Sequence, residues 1–313
     1  MEETIVSAQL AVDETLEIRK NRVTSGSGTN PKEKRLCIVT GTHGDELEGQ
    51  YVCWQLNRIL HQYPERLHGT VDIYPALNPL GINTMTRGIP MFDLDMNRIF
   101  PGSESGAAAE YIAAGIIRDI KGADVCIDIH ASNIYLRELP QVRVSEDTAD
   151  TLLPLAKLLN VDFVWVHAAA TVLESTLAHS LNTLGTPTLV VEMGVGMRIT
   201  EAYGQQLIVG ILNLMHSLGM WDGPVEAVRQ PVISRDGKVS FINAGASGVF
   251  LPTARHHNRV VPGQQLGVIA DPLSGEIREV LHSPAKGTLF TLREYPIVYE
   301  GSLIARILGE AES

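Results

Sequence analysis

Cysteine is scarce: there are three in 313 residues, an odd number with no CxxC spacing. That excludes a disulfide framework. Cys37 and Cys126 stand inside apolar runs, so buried, reduced thiols of a cytoplasmic protein are expected, and neither nucleophiles nor ligands. No stretch of about 18 apolar residues occurs, which leaves no membrane-spanning helix. Met1-Glu2-Glu3-Thr4 has neither the basic flank nor the apolar core of a secretory leader. A surplus of basic residues is also missing. Lys and Arg total 25 against 36 Asp and Glu, a net charge of −11. Nucleic acid and anionic membrane surfaces are therefore not expected partners.

The chain does have the composition of an ordinary globular protein, 44% hydrophobic and 19% charged. Its length allows one large α/β domain and a smaller appended unit. Self-association into a homo-oligomer is compatible with everything in the sequence. Short apolar runs at 35–40, 70–75, 124–129, 163–166 and 188–191 read as strands. Between and after them, 48–63, 107–120, 148–159, 174–184 and 204–218 carry helical spacing; Val52, Leu56, Ile59 and Leu60, for example, share one face. This alternation predicts an α/β fold with a mixed, largely parallel sheet covered by helices on both faces. The first thirty residues read as a strand and a turn-rich lead-in over 24–31. From about 230 glycines and prolines punctuate short β-like runs, and a separate all-β domain is expected there. The predicted domains are thus 1–229 and 230–313.

In a parallel sheet the binding crevice lies beyond the carboxyl ends of the strands. Four polar clusters stand there. Gly41-Thr42-His43-Gly44-Asp45-Glu46 puts an imidazole and a carboxylate three residues apart at a strand-to-helix turn. Asp128-Ile129-His130 adds a histidine at the end of another strand. Two histidines and one glutamate form the ligand set of an open catalytic zinc site, so His43, Glu46 and His130 are the candidate metal ligands. Asp93-Leu94-Asp95-Met96-Asn97-Arg98 is the third cluster. Asn97 and Arg98 can grip a carboxylate, and Asp95 can accept a hydrogen bond from the free nitrogen of a metal-bound histidine. Arg87 is a candidate to stabilise an oxyanion. In the fourth cluster, Val191-Glu192-Met193-Gly194, a glutamate ends an apolar run where burial without purpose would be costly. Glu192 can serve as base on a metal-activated water.

Each cluster has a plainer explanation alone: a helix-start glutamate, a satisfied core histidine, a surface turn. Four clusters on one edge of the sheet argue for a site. Together, Gly-Thr-His-Gly-Asp-Glu, Asp-Met-Asn-Arg with Phe100-Pro101-Gly102 after it, Asp-Ile-His and Val-Glu-Met-Gly resemble the succinylglutamate desuccinylase and aspartoacylase family of the wider zinc-carboxypeptidase group. The resemblance covers about residues 35–220. It implies one Zn2+ on His43, Glu46 and His130, Arg87 polarising the scissile carbonyl, and Asn97 and Arg98 holding the substrate carboxylate. It further implies Glu192 as general base, Asp95 as partner of a ligand, and a C-terminal domain that narrows the entrance. The implied reaction is hydrolysis of the amide of a small N-acyl amino acid. A carboxypeptidase acting on peptides and a non-catalytic zinc- or ligand-binding homologue are the alternatives.

One departure from the family bears on specificity. Members that recognise an acidic side chain place an arginine before the catalytic glutamate, whereas residues 158–197 contain neither lysine nor arginine. Arg137, Arg143 or Arg198 can substitute from another loop. An uncharged or basic side chain, as in N-acetyl-diaminobutyrate, fits equally well. Two further features have bland readings: Arg255-His256-His257 as a polar loop, and Lys286 as part of a strand turn.

Overall fold

The computed structural model describes residues 1–25, 33–168, 174–235 and 239–309. Most of the lead-in expected at 24–31 lies outside these residues, as does Lys238 at the head of one expected run. The chain opens with a hairpin, β1 (Glu2–Gln9) and β2 (Thr15–Thr24), where a single strand was expected. It continues through β3 (Arg35–Thr40), α1 (Glu48–Gln62), β4 (Thr70–Tyr74), a short α2 (Pro79–Thr84) and α3 (Ala108–Ile120). Then follow β5 (Val125–His130), β6 (Leu136–Ser145), α4 (Ala149–Ala156), β7 (Phe163–His167), α5 (Leu177–Thr183), β8 (Thr188–Gly194) and α6 (Glu201–Ser217). Every helix and strand expected between 35 and 218 is present, with ends displaced by a few residues, and α2 and β6 are additional.

Strands β4, β3, β5 and β8 are hydrogen-bonded in that order and run parallel. β2 joins β4, and β6 joins β8, both antiparallel, so the sheet is mixed and largely parallel at its centre. The strands are apolar on both faces because both are covered. Leu36 and Ile38 pack with Val52, Leu56 and Leu60 of α1 and with Leu207, Ile211 and Leu214 of α6. Cys37 and Val39 point the other way, toward Ile112, Ile116 and Ile120 of α3 and Leu177 and Leu181 of α5. Burying each of these large side chains stabilises the fold by about 1.5–3 kcal/mol. All three cysteines are buried and unpaired, and burial pushes the thiols of Cys37 and Cys53 up to about 12, where thiolate chemistry is suppressed.

The topology makes a crevice at the carboxyl ends of the strands. From β3 the chain crosses over α1 to β4 on one side, then returns through α3 to β5 on the other. The loops following β3 and β5 therefore diverge and leave space between them.

Beyond α6 the described residues form strands: β9 (Val232–Arg235), β10 (Val239–Asn243), β11 (Gly248–Pro252), β12 (Arg259–Val260), β13 (Gln265–Ala270), β14 (Ile277–His282), β15 (Gly287–Arg293), β16 (Ile297–Val298) and β17 (Leu303–Gly309). They are not detached from the rest. β15 pairs with β6 in the register Thr291↔Glu138, and β17 and β10 extend the same sheet. A second, antiparallel sheet has the order β14-β13-β11-β16.

Candidate active site

The turn after β3 is held by close backbone packing. A Cβ on Gly44 would lie 1.9 Å from the backbone carbon of Gly81 in α2, and Gly41 adopts φ +68°. Only glycine permits both. The result aims His43 and Glu46 inward beside His130 from the end of β5. These three side chains are buried, and their ligand atoms all lie within 4.8 Å of one another. Nδ1 of His43 is 2.8 Å from Glu46 Oε1, and Nδ1 of His130 is 2.9 Å from Glu46 Oε2.

The outward nitrogens meet carboxylates. His43 Nε2 lies 3.0 Å from Asp95 Oδ1, and His130 Nε2 lies 3.1 Å from Asp128 Oδ2. Asp128 precedes His130 by two on the same strand, so both point to one face. Three carboxylates thus surround two imidazoles. Burial alone would lower the pKa of His130, but Asp128 and Glu46 outweigh it and hold it well above the usual value. Burial would likewise raise Glu46, yet His130 and His43 bring it well below the carboxylate range.

This cluster fits a divalent metal ion on its own chemistry. Its carboxylates outnumber its imidazoles, so with neutral rings the site carries net negative charge in a buried setting that favours a cation. His43 Nδ1 is buried without a hydrogen bond although Glu46 Oε1 is 2.8 Å away. The two atoms are thus close neighbours that do not satisfy each other, which suits two donors to a shared cation. Among the described residues this is the one group of three such side chains so placed.

The cluster opens into a cavity of about 740 Å³ that also receives Arg87, Asn97, Arg98 and Glu192. Arg87 donates to Glu46 Oε1 at 3.0 Å and to Asp95 Oδ2 at 3.2 Å. Asp95 also accepts from the backbone N–H of Asn97 at 2.9 Å, which locks the turn bearing the Asn-Arg pair. The side-chain carbonyl of Asn97 accepts from the N–H of Leu177 at 2.9 Å, tying that turn to α5. Arg98 donates to the carbonyl of Asn97 at 2.7 Å and is otherwise exposed. Glu192 on β8 stands in register with His130 on β5. Burial pushes its carboxyl up to about 7 against the pull of Arg143.

The remaining candidates separate cleanly. Arg137 is committed to Glu294 through two contacts of 3.1 Å. Arg198 bonds the carbonyl of Met197 at the surface. Arg143 alone of the three reaches the cavity, where its Nη1 is 3.3 Å from Glu192 Oε1. Both ring nitrogens of His256 are occupied, by Tyr203 Oη at 3.2 Å and by the carbonyl of Phe290 at 2.8 Å, in keeping with a structural loop. Lys286 lies in the turn between β14 and β15.

Sequence reasoning gave no role to Asp128, although its place two residues before His130 was a usable signal. It also missed Glu138 and Arg306, which join Arg143 in the cavity wall.

Comparison with known proteins agrees with this geometry. Residues 32–218 match the succinylglutamate desuccinylase/aspartoacylase catalytic domain. The N-alpha-acetyl-L-2,4-diaminobutyric acid deacetylase of Halomonas elongata is 25% identical over 284 residues, covering 88% of this chain and 82% of that protein. A succinylglutamate desuccinylase/aspartoacylase structure from Rhodobacter sphaeroides superposes with a TM-score of 0.80 at 23% identity, over 100% of this chain and 96% of the other. The product-bound ectoine utilization protein EutE (DoeB) from Ruegeria pomeroyi gives a TM-score of 0.80 at 19% identity, over 99% and 95%. At such identities the structural matches speak for the fold. Because the matched catalytic domain spans more than half of the 313 residues, the chain belongs to the succinylglutamate desuccinylase/aspartoacylase family.

Proposed function

We propose that this protein is a zinc-dependent amidohydrolase that cleaves a small N-acyl amino acid. The observation that carries this reading is the His43–Glu46–His130 cluster opening into one cavity with Glu192. Two imidazoles and a carboxylate suit Zn2+, and zinc, when bound, supplies Lewis acidity that lowers the pKa of a water molecule to about 7. His43, Glu46 and His130 hold the ion. Asp95, hydrogen-bonded to Nε2 of His43, fixes that ring so that it presents Nδ1, and the charge of Asp128 stands beside Nε2 of His130.

Glu192 accepts the proton of the attacking water at its carboxylate and delivers it to the leaving amide nitrogen. Asn97 and Arg98 bind the carboxylate of the amino acid. Arg87, anchored through Nε and Nη1, has Nη2 left to meet the developing negative charge on the acyl oxygen. Residues 230–313 act as the unit that narrows the entrance, a role supported by Arg306 reaching the cavity wall.

A cavity of about 740 Å³ suits a small molecule. Among the described residues none of the arginines at 137, 143 and 198 is left to neutralise an acidic substrate side chain. An uncharged or basic side chain, such as the amine of 2,4-diaminobutyrate, is the better fit. Among the described residues no helix is long and apolar enough to cross a membrane. Three unpaired thiols suit a reducing compartment, and on that ground we assign the cytoplasm.

The test is Glu192→Gln. The variant keeps stoichiometric zinc and loses about 10²–10⁴-fold in kcat, the usual span for removing a general base. Near-parental turnover in the zinc-loaded variant would overturn the assignment of the base.

A further inference from the structure

The cavity wall beside Glu192 contains an ion-pair relay that the proposed reaction has not used. Arg143 stands on β6 opposite Val190 of the antiparallel β8, and Gln141 stands opposite Glu192. Arg143 and Glu192 are therefore diagonal neighbours on one face of the sheet. Arg143 Nη1 lies 3.3 Å from Glu192 Oε1, while its Nη2 donates to Glu138 Oε2 at 3.0 Å. Glu138 is 1% exposed. It also accepts from Gln141, and its Oε1 accepts from Arg306 Nη1 at 2.8 Å. Arg306 comes from β17, two strands away across β15. Both guanidinium groups lie over the ring of Trp165, at 6.0 and 5.8 Å from its centroid.

We infer that Arg143 is a positioning residue for Glu192, held in place by Glu138 and, through it, by Arg306 of the C-terminal strands. The inference rests on the reading of Glu192 as the base. Three features support it. The contact engages one oxygen of Glu192, which fixes the carboxylate's direction and leaves the other oxygen for the proton. The opposite edge of the guanidinium is bound to a buried carboxylate, so Arg143 swinging toward the cavity would give up its pair with Glu138. Finally, both guanidinium groups are already engaged by carboxylates, Arg143 by Glu138 and Glu192 and Arg306 by Glu138. A substrate carboxylate entering here would have to compete with these partners. Arg143 is thereby separated from the role of an acid-recognising arginine, although it is the one arginine of its three that reaches the cavity.

The experiment is a double-mutant cycle on the zinc-loaded protein with Arg143→Met, Glu192→Gln and the pair, reading kcat and KM separately alongside zinc content and thermal melting. Arg143→Met is expected to lower kcat about 10- to 100-fold, the span typical of residues that orient a reacting group, with KM and zinc content unchanged. In the Glu192→Gln background the same substitution should cost almost nothing, because the group it orients is gone. Should Arg143→Met fail to fold, Arg143→Lys, which keeps the charge and the pair with Glu138, takes its place in the cycle with a smaller loss expected. Losses that multiply in the double variant, or a raised KM with kcat intact, would overturn the inference and make Arg143 an independent or substrate-binding group. Retained activity in Glu192→Gln alone would instead sink the reading of the base.

Discussion

Asp95 bears three demands at once. Its carboxylate meets the ring of His43, the guanidinium of Arg87 and the N–H of Asn97. A single side chain thus couples the metal cluster to the turn that carries the Asn-Arg pair. Asp95→Asn keeps the shape but removes the charge that holds the His43 ring by its Nε2–H. The expected outcome is a 10- to 100-fold weaker hold on zinc, with the fold intact, read by competition against a chelator. Unchanged affinity would show that Asp95 serves only the turn. At this scale the sequence was informative for a physical reason: in a parallel sheet the binding crevice lies at the carboxyl ends of the strands, and His43, Glu46 and His130 converge there. Glu138 and Arg306 escaped because ion pairs between residues 168 apart leave no local pattern.

Elements were legible where periodicity was strong and obscure where function intruded on it. α1 and α3 have clean apolar stripes and were placed to within a residue or two. β6 was missed although it sits between β8 and β15 in the sheet. Its sequence, Leu136 to Ser145, interrupts the apolar alternation with Arg137, Glu138, Pro140, Gln141 and Arg143, of which Glu138 and Arg143 line the cavity and Gln141 donates to Glu138. β17, by contrast, was read as a strand but not as part of the central sheet, since the strand that links it there, β15, pairs with the unread β6.

His256 ties two of these elements. It stands between Tyr203 of α6 and the Phe290 carbonyl of β15, and burial lowers its pKa to about 4. The folded protein therefore holds it neutral, with Nε2–H donating to the carbonyl and Nδ1 accepting from the tyrosine. Below pH 6.5 the unfolded chain takes up a proton that the folded one refuses until about 4. The stability it supports is present above pH 6.5 and is lost progressively as the pH falls toward 4. The melting temperature should decline across that window, and His256→Gln should flatten the decline. An identical slope in the variant would assign the acid sensitivity to other groups.

On the scale of the whole molecule, one continuous sheet joins the metal cluster to the C-terminal strands. The order β5-β8-β6-β15-β17 carries His130, Glu192, Arg143 and Arg306 on successive or nearby strands. The strands β15, β17 and β10 thus extend the sheet that carries the metal cluster, and Arg306 of β17 lines the cavity. The net charge of −11 describes the surface and not this cavity, where cations and anions pair closely. That local balance, combined with the absence of lysine and arginine over 158–197, is the physical basis for expecting an uncharged or basic substrate side chain.

The most direct test of the proposed activity is amide cleavage by the zinc-loaded protein across a panel of N-acetyl and N-succinyl amino acids, with short peptides alongside. The expected result is turnover of N-acetyl amino acids with uncharged or basic side chains, N-acetyl-diaminobutyrate among them, dependent on zinc and nearly abolished by Glu192→Gln. Turnover of peptides alone, or a preference for N-acetylaspartate and N-succinyl substrates over all others, would contradict it.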